Sequence, residues 1–142
     1  MKNWFFYILI FIPLCGWSQQ ITVGTCSVDG GTYTGEMFRG KPWGRGKAKY
    51  SNGDTYEGQF EKGKRQGKGI YTFSDGEKYD GQWFQDQQHG LGVYYFKNGN
   101  KYDGLWYKDY QQGHGIMYYS NGDKYDGNWL QDKRDGQGRY TF

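Results

Sequence analysis

Cysteine, proline and helical periodicity are scarce in this sequence, and each shortage excludes a class of structure. The 142 residues include two cysteines and two prolines, and no segment shows the apolar period of an amphipathic helix. One cysteine lies in an N-terminal apolar segment described below, so only Cys26 is left in the rest of the chain and no internal disulfide can form there. Stability must therefore come from side-chain packing and from a ladder of backbone hydrogen bonds.

Charge of one sign and clustered metal or phosphate ligands are also missing. The formal net charge is +3, which is too small to indicate a nucleic-acid partner. His89 and His114 have no cysteine or second histidine at metal-ligand spacing, and the sequence contains no phosphate-binding glycine loop of the GxxxxGK[ST] type. We expect no metal, no small-molecule cofactor and no catalytic residue.

Glycine, in contrast, is abundant and strictly placed. The tripeptide Tyr-x-Gly recurs every 23 residues, and glycine also recurs at positions 12, 14 and 21 counted from its tyrosine, so that 20 of the 25 glycines occupy four positions. A period of this length predicts stacked units that bury their hydrophobic surface against their neighbours. The five units span residues 33–55, 56–78, 79–101, 102–124 and, truncated, 125–142, after an N-terminal strand and cap at 19–32.

The residues around position 21 predict hairpins. Asparagine or aspartate precedes each of the five glycines at this position, as in Asn98-Gly99, and such pairs favour the positive φ angles of a type I′ turn. Aromatic and β-branched residues flank the pairs, for example at 70–73 and 78–83, as expected of strands. The fold class predicted is all-β, an elongated single antiparallel sheet of successive β-hairpins with a 23-residue period.

Strand alternation predicts one aromatic face. Positions 1, 3 and 5 of the first strand and positions 12, 14, 16 and 18 of the second point to the same side. In the third unit this side carries Tyr79, Trp83, Tyr94 and Phe96. The glycines between them leave room for rings to lie over bare backbone.

The 23-residue unit resembles the MORN (membrane occupation and recognition nexus) repeat, whose opening Tyr-x-Gly-x-Trp is present at 79–83, 102–106 and 125–129. The second unit has Phe60 in place of tryptophan, and the first has Thr34 and Met37 where an acid and tryptophan are expected, which we interpret as capping. The residues that define the repeat are Tyr56, Gly58, Tyr79, Gly81, Trp83, Tyr102, Gly104, Trp106, Tyr125, Gly127 and Trp129.

The resemblance implies a non-catalytic binding or scaffold module. MORN repeats also precede the catalytic domain of plant phosphatidylinositol phosphate kinases, but this sequence contains neither a nucleotide-binding loop nor a kinase catalytic-loop signature. A kinase activity is therefore not expected from the resemblance.

The first 18 residues have the pattern of a signal peptide. Lys2 precedes an apolar run over 4–14, and Gly16 and Ser18 provide small residues for cleavage after Ser18. The run is short for a membrane span. Cys15 follows Pro13 and Leu14, where a lipoprotein would have small residues, so we expect an exported protein without a lipid anchor.

Basic residues cluster in the first two units. Between residues 39 and 68 there are nine bases and three acids, whereas units three to five together carry a net charge of −1. These side chains either contact anionic headgroups or polyanions, or they are solvated residues that keep the sheet soluble. The nine are Arg39, Lys41, Arg45, Lys47, Lys49, Lys62, Lys64, Arg65 and Lys68.

Apolar side chains also fall on the face opposite the rings, in units three and four. Such a patch indicates a protein partner or self-association, unless sheet twist covers it. Its members are Phe84, Leu91, Val93, Tyr95, Tyr107, Ile116 and Tyr118.

Two functions remain open at this point. The first is an exported, non-catalytic scaffold that acts through its sheet faces on a protein or on membrane headgroups. The second is a glycan-binding or glycan-hydrolysing surface that uses exposed rings and the acids Asp80, Asp103 and Asp126. Successive acids should lie roughly 10 Å apart, two strand spacings, which is marginal for a pair of catalytic carboxylates. Pairing of each acid with the lysine two residues earlier, as in Lys78 and Asp80, is the simpler expectation.

The mature chain is expected to begin near Gln19, because cleavage after Ser18 satisfies the small-residue pattern. N-terminal sequencing of the protein purified from its native source checks this. An intact Met1 in that sample would contradict export through cleavage.

Overall fold

The computed structural model describes residues 20–142, and these form one open antiparallel sheet. Within this range there are eleven strands, and strands that are neighbours in the sheet are also neighbours in sequence. The predicted signal peptide lies outside the described residues. Residues 20–142 contain no helix that is long and apolar enough to cross a membrane. The strands are β1 (Thr22–Val28), β2 (Gly31–Phe38), β3 (Lys41–Lys49), β4 (Thr55–Glu61), β5 (Lys64–Thr72), β6 (Lys78–Phe84), β7 (Gln87–Tyr95), β8 (Lys101–Tyr107), β9 (Tyr110–Tyr118), β10 (Lys124–Leu130) and β11 (Lys133–Thr141).

Each repeat is one hairpin of a shorter and a longer strand. In the third repeat, Gly81 pairs with Gly92, but Trp83 pairs with Gln88. The second strand therefore advances four residues while the first advances two, and Gly90 takes up the difference with a φ of 68°. This bulge recurs in the other repeats and turns position 10 toward the ring face.

The predicted hairpin tips are turns, but the predicted turn type is wrong in all but one of them. Only Asp29-Gly30, between β1 and β2, has positive φ at both residues. At Asn98-Gly99 only the glycine does, with a φ of 87°, and the N–H of Gly99 donates to the carbonyl of Phe96 at 3.0 Å. The loop is a three-residue one in which a type I turn is followed by a left-handed glycine.

The two-residue turns with positive φ at both positions connect the strands at their opposite ends, at positions 7 and 8 of each repeat. Gln85 and Asp86 have φ angles of 47° and 69°, and Lys108 and Asp109 have 48° and 69°. Arg39-Gly40 and Lys62-Gly63 form the same turn with glycine at the second position, but the later pairs lack the glycine signature of a type I′ turn.

The core is a continuous row of edge-to-face ring contacts along the sheet. Trp83 meets Tyr79 of its own repeat at 5.2 Å and 90°, and Tyr56 of the preceding repeat at 5.4 Å and 87°. Trp106, Trp129 and Phe60 repeat this arrangement. The predicted aromatic face is thus confirmed, and each tryptophan joins two successive repeats.

Bare backbone accommodates these rings. The Tyr79 hydroxyl donates to the carbonyl of Gln82 at 2.8 Å, and the indole N–H of Trp106 donates to the carbonyl of Gly92 at 3.1 Å. A Cβ placed on Gly92 would overlap the Tyr79 ring, and the same overlap occurs at position 14 of every repeat. Position 14 is therefore glycine because the tyrosine occupies the space of a side chain.

Replacing Gly92 with alanine should lower the free energy of unfolding by about 2 kcal/mol or more, because overpacking a filled core typically costs ~1–3 kcal/mol and the Tyr79 ring is fixed by its hydrogen bond. Thermal unfolding monitored by circular dichroism measures the effect. Leu91→Ala is the control, since Leu91 is 61% exposed on the other face. Equal stability of the two variants would contradict this account of position 14.

Candidate functional site

A groove of about 720 Å³ crosses the ring face over repeats two to five. Its floor and one wall are aromatic, and the buried side-chain amides of Gln88 and Gln111 lie within it. Carboxylates from the two-residue turns form the other wall. The lining residues are Arg65, Tyr71, Phe73, Trp83, Asp86, Gln88, Tyr94, Phe96, Trp106, Asp109, Gln111, Met117, Trp129 and Asp132.

The turn carboxylates hold successive repeats together. The Oδ1 atom of Asp109 accepts the N–H of Gln88 at 2.8 Å, and the N–H of Asp109 donates to the carbonyl of Gln88 at 3.1 Å. Asp86 binds Arg65 and Asp132 binds Gln111 in the same way. In repeat two the turn residue is Gly63, and its partner Pro42 has no N–H that would require a carboxylate.

Arg65 separates from the basic cluster to which the sequence assigned it. Its side chain is only 19% exposed and lies on the ring face. The guanidinium carbon stands 4.3 Å from the centre of the Trp83 ring and 5.0 Å from that of Tyr71. Its Nε atom lies 3.1 Å from the Asp86 carboxylate. Arg65 is thus engaged within the groove and is not available to a flat anionic surface.

At the other wall, acids at position 22 bind the tyrosines. The Tyr94 hydroxyl donates to Glu77 at 2.5 Å, and that of Tyr71 donates to Asp54 at 2.6 Å. Where the ring is replaced by Met117, position 22 is the neutral Asn100, whose side-chain oxygen accepts the backbone N–H of Ser120. Position 22 is therefore acidic in the repeats where the facing residue is a tyrosine, whose hydroxyl donates a hydrogen bond to the acid.

Burial and these contacts shift the pKa values of Tyr94 and Asp54. Burial first, and then the hydrogen bond to Glu77, raises the pKa of the Tyr94 hydroxyl well above its usual range. Burial would raise the pKa of Asp54, but hydrogen bonds from Tyr71, Ser74 and Asn52 outweigh it and lower that pKa.

The face opposite the rings is exposed, with the apolar patch on it as predicted by strand parity. Phe84, Leu91, Tyr95 and Tyr107 are exposed, whereas Val93, Ile116 and Tyr118 are half-buried. Leu105, which pairs with Leu91, belongs to the same patch and was missed.

The other eight cations of the basic cluster are spread over this outer face and the turns. Lys47, for example, pairs across the strands with Glu57 at 3.2 Å, and both side chains are largely exposed. Arg39 and Lys62 stand at the first position of two-residue turns. The remaining five are Lys41, Arg45, Lys49, Lys64 and Lys68.

The acids Asp80, Asp103 and Asp126 do not come together. Val93 pairs with both Asp80 and Asp103, so an apolar residue stands between successive carboxylates. The expected pairing of Lys78 with Asp80 is wrong, because the Lys78 amine lies over the Tyr95 ring at 4.3 Å. Asp126 instead meets His114 at 2.9 Å.

No group of three or more metal-ligating side chains occurs among the described residues. His89 sits between the rings of Phe84 and Tyr107 on the outer face. Neither histidine faces the groove.

A sequence profile of the MORN repeat matches residues 33–55, 56–78, 79–101, 102–124 and 125–142. The chain belongs to the MORN repeat family. MORN repeats are generally binding or scaffold modules without catalytic activity, and the faces of this MORN sheet are its candidate binding surfaces. A comparison with curated protein sequences gave no match.

The MORN signature accounts for the ring row but not for the groove walls. Positions 8, 10 and 22 vary between the repeats of this chain, yet they supply Asp109, Gln88 and Glu77. Their roles depend on contacts between neighbouring repeats, which a single repeat does not display.

The buried tyrosines predict unfolding at alkaline pH. Folded-state pKa values are raised at Tyr56, Tyr79 and Tyr102, chiefly by burial, so above pH ~10 the unfolded chain loses protons that the folded chain keeps. The free energy of unfolding should therefore be constant below that pH and should fall as the pH rises from the unfolded-state pKa toward the folded-state pKa of these tyrosines. Urea unfolding at pH 9 and pH 11 measures the loss.

Tyrosinate absorbance gives the matching control. The share of this absorbance that belongs to the buried tyrosines should rise together with the loss of the sheet signal in circular dichroism, after the exposed tyrosines have ionised. Ionisation of the core tyrosines in a chain that keeps its sheet at pH 11 would contradict the prediction.

Proposed function

We propose that this protein is an exported, non-catalytic scaffold whose ring-face groove binds a segment of a protein partner. The observation that carries the proposal is the groove itself, which combines apolar walls with polar groups at fixed positions. Ligand sites of this kind hold most of their surface apolar and use a few placed polar groups for orientation.

Rigidity supports a role in binding. Asp109 and Glu77 hold the two walls through hydrogen bonds to neighbouring repeats, so the groove is formed before a ligand arrives. Preorganisation of this kind reduces the entropy lost on binding.

A glycan site is less well supported. Sugar binding by rings needs an exposed ring face, but in the groove Trp83, Trp106 and Trp129 are each at most 6% exposed, and the exposed rings Phe84, Tyr95 and Tyr107 lie on the outer face. The carboxylates of Asp80, Asp103 and Asp126 lie on the opposite side of the sheet from the groove, with apolar residues between them. Hydrolysis by these acids would require a geometry that the sheet does not provide.

Membrane headgroups are the remaining candidate, at the outer face. Eight cations of the first two repeats contribute, at about 1 kcal/mol each near an anionic surface. Lys47 is offset by Glu57 at 3.2 Å, and Arg39 and Lys62 stand on turns, outside the strands that carry the other six. We therefore place the protein-binding groove first.

Selection of displayed random peptides on the protein tests the proposal. Enriched peptides should lose binding to a Phe73→Lys/Phe96→Lys variant, because both rings line the groove and are half-buried. The matched control is Val93→Lys/Ile116→Lys, which places the same two charges on the outer face. Affinity is measured by titration of labelled peptide.

Two outcomes would overturn it. Peptides that respond only to the outer-face variant would move the site to the apolar patch. A protein that enriches no peptide but floats with anionic vesicles at low salt, and not at high salt, would replace the groove with headgroup binding.

A further inference from the structure

One guanidinium already occupies the groove, and it is the chain's own. Arg65 stands at position 10 of repeat two, where its Nη2 donates to the carbonyl of Asp86 at 2.8 Å and its Nε to the Asp86 carboxylate at 3.1 Å. Tyr71 and Trp83 flank it at 5.0 and 4.3 Å. This arrangement shows what the groove offers to an arginine side chain.

The next two repeats present an aspartate and a tryptophan in the same places without the cation, and repeat four has Met117 in place of the flanking tyrosine. Position 10 is Gln88 and then Gln111, beside Asp109 and Asp132. Neither aspartate forms an ion pair with a described residue. Both carboxylates are exposed and line the groove, so each leaves a negative charge facing it.

The two glutamines point to a ligand independently. Gln88 is 7% exposed and Gln111 is 5% exposed. Within residues 20–142 their side-chain amides make no hydrogen bond to another residue. Each amide atom without a partner has some access to solvent. Both residues are more than nine-tenths buried, but their unpaired amide atoms keep access to the surface inside the groove. Each free amide oxygen is an acceptor for a guanidinium N–H.

We infer that the groove binds an extended, arginine-bearing segment in which two arginines stand three residues apart, an inference that rests on the proposed function. One arginine pairs with the Asp109 carboxylate and donates to the Gln88 amide beside the Tyr94 ring. The other pairs with Asp132 and donates to Gln111 beside Met117. The two sites are two strands apart, roughly 9.6 Å.

The spacing selects the conformation of the ligand. A polyproline II helix advances about 9.3 Å in three residues and returns to the same side. A β-strand places residues three apart on opposite sides. Aromatic-lined grooves are suited to polyproline II segments, so the segment should be rich in proline.

The test uses a labelled proline-rich peptide with two arginines three residues apart, titrated by fluorescence anisotropy. A peptide of the same composition with adjacent arginines should bind about tenfold more weakly, because it can place only one cation in a site. The loss of one charged hydrogen bond of ordinary strength raises the dissociation constant by about that factor. Replacing both arginines with glutamine should remove binding, and added salt should weaken it.

Protein variants locate the site. Asp109→Asn/Asp132→Asn removes the charge but keeps the Oδ1 acceptor for the N–H groups of Gln88 and Gln111, so the fold should hold while affinity falls at least about tenfold per site. Asp80→Asn/Asp103→Asn makes the same charge change on the outer face and should leave affinity unchanged.

A third variant copies the arrangement of Arg65. Gln88→Arg/Gln111→Arg should fill both sites with internal guanidinium groups, raise the thermal midpoint and block the peptide. If this variant fails to fold, the peptide affinity of the Asp109→Asn/Asp132→Asn variant still tests the inference.

Equal binding of the two arginine spacings, or full affinity of the asparagine pair, would overturn the inference. Groove-dependent peptides that lack arginines would overturn it too, and they would leave the proposed function standing. Failure of any ligand to depend on the groove would instead remove the proposed function.

Discussion

The edge-to-face contact between tyrosine and tryptophan is the interaction on which the sheet depends. A single-layer sheet has no second layer to cover it, so the apolar surface must be buried within the row of rings itself. Tyr79 is fully buried although the sheet is one layer thick, because Trp83 and Trp106 meet it from two directions. Each tryptophan contacts the tyrosines of two repeats, and the repeats are therefore stable only as a row.

The glycines and the polar contacts follow from that row. Gly92 gives the Tyr79 ring its space, and the bulge at Gly90 turns Gln88 to the same side. Asp109 and Glu77 then hydrogen-bond to neighbouring repeats, one at each end of the strands. The groove walls are made of these fastening residues, so structure and binding surface use the same atoms.

The two faces differ in kind. On the ring face, the acids bind backbone N–H groups and tyrosine hydroxyls, which leaves a shaped groove with fixed charges. On the outer face, Lys78 lies over Tyr95 and Lys101 over Tyr118, a pattern that shields rings from water. The exposed patch around Leu91 and Leu105 is the exception on that face.

The sequence alone determined the period, the single antiparallel sheet and the identity of the aromatic face. It could do so because Tyr-x-Gly-x-Trp at a fixed spacing and the two-residue alternation of strands are local properties. The turn types were not recoverable in this way. Asn98-Gly99 has the composition of a type I′ turn but closes a three-residue loop, and Gln85-Asp86 forms the two-residue turn without glycine.

Only the tertiary structure decided the groove. Arg65 reads as one more cation of a basic cluster, yet the bulge turns it onto the Trp83 ring, and Asp86 that holds it lies 21 residues further along the chain. Gln88 and Asp109 meet across the same separation. These contacts arise between repeats, where the hydrogen-bond register and the twist of the sheet set the distances, and no pattern within one repeat encodes them.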